Sequence, residues 1–170
     1  MATMKSVPII DAAQLTGRTT LHAVDQACRE WGFFQVVNHG IDDEVIEALH
    51  REMRAFFALP LQSKRAVERT AENPWGFYDR ELTKNTRDWK EIFDCGPEED
   101  PELPTPWPTR PPGFRAALHA FTDSCERLAF RLLAAVSTNL GMPSDYLAAG
   151  FRPRHTSFLR LNYYPVCPRP

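Results

Sequence analysis

The run from Gly96 to Gly113 constrains this chain most, because it carries seven of the 15 prolines. Each proline removes a backbone donor and fixes φ at about −65°. Neither a helix interior nor a central strand survives that density. The run predicts an extended surface loop between a front part of short alternating elements and a back part dominated by one helix. The spacings Pro101-x-x-Pro104 and Pro108-x-x-Pro111, beside the acidic Glu98-Glu99-Asp100, resemble a polyproline ligand segment. Such spacings arise by chance in any proline-dense stretch, and a plain connector is expected.

In the front part, Val7 to Asp11 is a short β-prone run that Gly17 ends. Thr19 or Thr20 is expected to cap a helix with Leu21, Val24, Cys28 and Trp31 on one face. Phe33 to Val37 (FFQVV) predicts a buried strand. Asn38-His39-Gly40 then turns the chain, since Asn and Gly tolerate positive φ, and His39 is expected to serve that turn. A second helix shows Val45, Ile46, Leu49, Met53, Phe56 and Phe57 at helical spacing, with Asp42 and Asp43 at its positive end. Pro60 stops it, and a shorter helix is expected at 62–68. Asn73 to Gly76 is turn chemistry.

Asp88 to Cys95 alternates as a strand does, with Trp89, Glu91 and Phe93 on one side and Lys90, Ile92 and Asp94 on the other. Trp89 and Phe93 are expected in the core. In the back part, Phe114, Leu118, Phe121, Cys125, Leu128, Leu132, Val136 and Leu140 form one apolar stripe. The stripe predicts a helix over about 114–140, closed by Gly141 and Pro143. Ser144 is expected to cap a short helix over 145–149. Ser157 to Tyr164 (SFLRLNYY) predicts a final strand, followed by the proline-rich Pro165 to Pro170. The order of elements is that of a mixed α/β (α+β) chain.

Composition excludes several functions. Of the 170 residues, 43% are hydrophobic and 25% charged, as in soluble globular domains. The net charge of −2 gives no electrostatic reason to bind nucleic acid or an anionic membrane. No stretch is apolar enough to span a bilayer and MATMKSVPII is no secretory signal, so cytoplasmic residence is expected. Cys28, Cys95, Cys125 and Cys167 form no C-x-x-C pair and are expected to be reduced, with Cys28 and Cys125 as small buried hydrophobes.

Candidate chemistry concentrates in the final strand. Arg160, Asn162 and Tyr164 share one face by period two. A cation, an amide and a phenol suit an oxygen-rich anion, and they equally suit the wet side of an amphipathic edge strand. His50-Arg51-Glu52 is the one H-x-E. It lies on a predicted helix, where positions i and i+2 point about 200° apart, so a solvated helix face is expected. His22, His119 and His155 stand apart from carboxylate or cysteine partners in suitable register. No set of residues reads as a catalytic group or as a metal site.

Four segments in order then match a family. Val7 to Asp11 (VPIID), Trp31 to Gly40 (WGFFQVVNHG), Asp88 to Asp94 (DWKEIFD) and Leu159 to Pro170 (LRLNYYPVCPRP) resemble the landmarks of the isopenicillin-N-synthase-like, Fe(II)- and 2-oxoglutarate-dependent dioxygenases. The resemblance implies an enzyme of about twice this length that couples decarboxylation of 2-oxoglutarate to oxidation of a small molecule. It implies a jelly-roll core with His-x-Asp, a distant second His and an Arg-x-Ser, none of which matches here. On this resemblance, residues 1–153 are the N-terminal region and 154–170 the start of the core. Asn162 and Tyr164 become 2-oxoglutarate contacts with Arg160 beside them. Ile92 and Asp94 line the substrate cavity, where Asp94 selects a donor or a cation. A chain with this content is expected neither to hold Fe(II) and 2-oxoglutarate tightly nor to turn over alone. A split enzyme, with a second chain supplying the core, and a non-catalytic partner-binding module are the alternatives.

Overall fold

A computed structural model describes residues 6–97, 100–153 and 155–166. Glu98, Glu99 and Cys167, discussed above, lie outside the described residues, as does the remainder of the closing run from Pro168. In chain order the elements are β1 (Ile9–Asp11), α1 (Arg18–Glu30), β2 (Gln35–Val37), α2 (Asp43–Phe57), α3 (Leu61–Arg65) and β3 (Gly76–Tyr78). There follow β4 (Leu82–Thr83), β5 (Thr86–Arg87), β6 (Glu91–Cys95), α4 (Phe114–Asn139) and β7 (Leu159–Tyr163). The chain forms two compact units, one of residues 1–42 with 123–155 and one of residues 43–122 with 156–170.

In the first unit β1 and β2 pair in parallel, Ile10 opposite Val36. Its core is Ile10, Ala12, Leu15, Val24 and Ala135, with Leu128, Leu132 and Val136 of α4 packed on it. Three expectations are corrected here. Gly17, not Thr19 or Thr20, is the N-cap of α1, and no side chain caps it. The buried residues of α1 are Val24 and Ala27, which leaves Cys28 exposed. The buried line advances by three residues, so the small Ala27 takes the place expected for Cys28. The FFQVV run is not a buried strand. Only three residues pair, Phe34 and Val36 pack inward, and Phe33 and Val37 are exposed. One face of a two-stranded ribbon is all that such a core can cover.

The 145–149 helix is also absent. A turn leads instead into a 3-10 helix over Ala148–Phe151. Asn38 and Gly40 do take positive φ, and the His39 Nδ1 accepts the Ile41 N–H at 3.0 Å, so this histidine serves its turn.

The second unit is built around aromatic rings. Phe56, Phe77, Phe93 and Phe114 are fully buried. Phe56 stacks on Phe114 at 4.6 Å and meets Phe93 edge-on at 5.2 Å. Complete burial of each ring contributes about 1.5–3 kcal/mol. β3, β6 and β7 form one antiparallel sheet in that order, and β4 and β5 form a separate hairpin. The sequence reading missed β3, β4 and β5, whose two or three residues are too short to show a period. Trp89 precedes β6 and is 52% exposed, so it is not core, whereas Phe93 is.

The proline-rich run is more than a plain surface connector. Trp107 packs on Phe93 and Phe114, Thr105 Oγ1 accepts the Gly96 N–H at 3.1 Å, and the Pro104 carbonyl accepts from Asn73. Its prolines forbid regular structure but leave its side chains free to pack.

Candidate functional site

The register of the three-stranded sheet decides which residues meet. Ile92 lies opposite Asn162 and Asp94 opposite Arg160, and on the other edge of β6 Tyr78 lies opposite Ile92. Opposed residues of an antiparallel pair project to the same side. Phe77, Phe93 and Leu161 therefore form the core face. Tyr78, Ile92, Asp94, Arg160 and Asn162 share the other. Two groups that the sequence offered separately, one on each strand, become cross-strand neighbours. Tyr164 stands one residue past β7 and is 67% exposed, so strand period no longer sets its direction.

Within this face Ile92 and Asp94 are buried, while Arg160 and Asn162 are exposed. Arg160 donates from Nε and Nη2 to the two Asp94 oxygens, both at 2.7 Å. Such a two-point bond to a carboxylate is the strong form of the interaction. It raises the Arg160 guanidinium further above its ordinary value, with Glu81 adding to the effect. Both Asp94 oxygens are thereby committed to a side chain of the same face.

A set of charges that the sequence reading passed over surrounds the pair. Glu81 meets Lys90 at 2.9 Å, Arg160 at 3.3 Å and Arg69 at 3.8 Å. The hydrogen bond from Lys90, with Arg160, Lys90 and Arg69 charges behind it, holds the Glu81 carboxyl below the ordinary range against the opposing effect of burial. Lys90 is raised in return, chiefly by that bond. Tyr78 lies under two guanidinium groups, Arg69 at 3.5 Å and Arg80 at 5.1 Å from the ring centre. The alternating acids and bases of Asp79 to Lys90 were the available signal. A string of charges in a connector reads first as a solvated surface, and only the fold shows that they converge.

The described residues do not fit an iron site. Among the described residues no three His, Cys, Asp or Glu side chains are grouped to hold a metal. His50 is exposed on α2, but Glu52 is not on a solvated face as expected. Its side chain is only 12% exposed, bonded to Arg51 and set against Gly113 at the start of α4. His155 also departs from expectation, since Glu126 stands 3.5 Å from its Nε2. No described helix is long and apolar enough to cross a membrane.

Comparison with known proteins agrees with the order of the segments. The family model described as non-haem dioxygenase in morphine synthesis, N-terminal, matches residues 7–114. The chain belongs to the 2-oxoglutarate- and Fe(II)-dependent dioxygenases. This dioxygenase-family chain is 31% identical to an oxoglutarate-dependent flavonoid 7-O-demethylase 1 of Ocimum basilicum, over 98% of its own length and 46% of the relative's. It is 33% identical to flavanone 3-dioxygenase 2 of Oryza sativa subsp. japonica, over 96% and 48%. The crystal structure of JOX2 in complex with 2OG, Fe and JA superposes with a TM-score of 0.83 at 31% identity, covering 97% of this chain and 50% of that one. A full-length Neurospora crassa protein in complex with alpha-KG gives 0.80 at 26%, over 94% and 54%. The chain thus spans about half the length of the curated relatives it matches.

Proposed function

We propose that this chain supplies part of the binding face of an Fe(II)- and 2-oxoglutarate-dependent oxygenase acting on a small organic molecule. One observation carries the reading: the register Ile92–Asn162 and Asp94–Arg160 puts the substrate-side and co-substrate-side candidates on one sheet face. Asn162 offers an amide to the oxygens of 2-oxoglutarate, Tyr164 a phenol. Ile92, wholly buried, backs this face from within, and the half-buried Tyr78 gives it an aromatic part beside which a substrate can lie. Residues 154–170 are then the opening of the jelly-roll core. When bound, iron supplies the oxidative decarboxylation of 2-oxoglutarate. Its ligands come from polypeptide outside the described residues, in the same chain or in a second one.

The apolar flank of β7 suits a covering segment. Phe158, Tyr164 and Val166 are exposed, and β7 is the end strand of its sheet. The test compares 2-oxoglutarate decarboxylation by the 170-residue chain with that of a polypeptide extended through the reading frame after Pro170. The extended protein is expected to release carbon dioxide and the short chain none above blank. Asn162→Ala in the extended protein is expected to weaken 2-oxoglutarate binding about ten-fold, the loss of one hydrogen bond to a charged ligand. Turnover by the short chain, or unchanged affinity in the variant, refutes the assignment.

A further inference from the structure

The β4–β5 hairpin buries little of itself in the second unit. Each strand has two residues, and the hairpin turns at Lys84-Asn85, both with left-handed φ of 51° and 60°. Leu82 is 65% exposed and residues 84–87 are exposed as well. A lone two-stranded hairpin is marginal in water, and this one buries too little to hold itself down. Its root, however, is heavily bonded. The Asp88 N–H donates to the Glu81 carbonyl at 2.9 Å, which closes the hairpin from below. The Glu81 side chain then binds Lys90 and Arg160 from its two oxygens, with Arg69 behind. Arg160 is the same guanidinium that Asp94 grips from β6. Carboxylate, guanidinium and carboxylate thus link the root of the hairpin to the middle of both strands of the candidate face.

We propose that Glu81 is a positioning residue, latching the β4–β5 hairpin to the Arg160–Asn162 face so that the hairpin is a flap held there by charge. A latch of this kind differs from apolar packing in two ways. It weakens with ionic strength, because the screening length falls from about 10 Å at 0.1 M salt to about 3 Å at 1 M. It also opens locally, without the aromatic core coming apart. The flap is consequently a mobile neighbour of whatever ligand occupies the face. The proposal stands on the charge geometry and does not depend on the oxygenase reading.

Hydrogen exchange on the whole 170-residue chain, followed by mass spectrometry without ligand, tests it. In Glu81→Gln the amides of residues 82–88 are expected to exchange about ten-fold faster, the loss of a hydrogen-bonded charge contact at the root. Those of β6 and β7 are expected to change less than about two-fold, with the melting transition nearly unmoved. Raising salt from 0.05 to 1 M is expected to speed the hairpin of the unaltered protein and to speed that of Glu81→Gln distinctly less, since the Arg87–Asp79 and Lys90–Asp88 pairs remain there. The salt arm needs no variant to fold. Unchanged hairpin exchange in the variant, equal acceleration of β6 and β7, or a salt response as large in Glu81→Gln as in the parent overturns the proposal.

Discussion

The Asp94–Arg160 pair makes a prediction in which order matters more than size. The Asp94 side chain is 4% exposed and that of Arg160 36%. Removing Asp94 as Asp94→Asn leaves a guanidinium that still reaches water and still has Glu81 at 3.3 Å. The cost is that of two charge-assisted bonds partly replaced by solvent, about 2 kcal/mol. Removing the cation as Arg160→Met leaves a buried carboxylate with neither of its 2.7 Å partners. Breaking a buried pair on that side costs about 3–5 kcal/mol. Both values follow from urea denaturation at pH 7, with equal slopes required so that midpoints can be compared. The double variant is expected to cost less than the two single variants combined, since the second removal takes away an orphaned group. Equal costs, or Asp94→Asn as the more damaging change, would refute the view that burial of the carboxylate dominates this pair.

Other expectations follow from the same unit. Gly76 has φ +108°, and a Cβ there would stand 2.3 Å from the Val67 carbonyl oxygen. Gly76→Ala should therefore cost about 3 kcal/mol in thermal or chemical unfolding, from backbone strain and overlap together. Phe93→Ala should cost about 3–5 kcal/mol because the ring is wholly buried, whereas Trp89→Ala should stay within about 0.5 kcal/mol of the parent. Glu81 is held below its ordinary value, so its contribution is full above the unfolded-state value and is lost as pH falls through the folded one. The gap in hairpin protection between the parent and Glu81→Gln, corrected for intrinsic exchange, should be level from about pH 8 to 5 and close below about pH 4. A gap that widens in acid would reverse the sign and discard the argument.

The elements that could be read from the residues are those long enough to show a period. α2 and α4 repeat apolar side chains over four turns or more, and β6 and β7 alternate around Phe93 and Leu161. β3 exists because β6 supplies its partner, and β4 and β5 pair with each other across Lys84-Asn85; at two or three residues each, none is long enough to show a period. The same limit applied to the candidate face. Period two placed Arg160 with Asn162 and Ile92 with Asp94, but only the pairing of strands set one couple against the other. Glu81 was invisible for a different reason: its importance lies in three cations arriving from Arg69, Lys90 and Arg160, separated along the chain and gathered by the fold. Cys28 and Trp89 failed because a hydrophobic type was equated with burial, although a small core leaves many apolar groups outside.

The distance along the chain between β6 and its last partner has a consequence for synthesis. Asp94 and Arg160 are 66 residues apart. At about 5–20 residues per second, a ribosome takes roughly 3–13 s to deliver the second after the first. Throughout that interval one edge of β6 is bare, with Ile92, Phe93 and Cys95 on offer to any passing strand. The carboxylate in its midst guards the gap: a stranger that pairs there must bury an anion without a guanidinium to meet it. The charge that completes the sheet also keeps its place vacant until the right strand emerges.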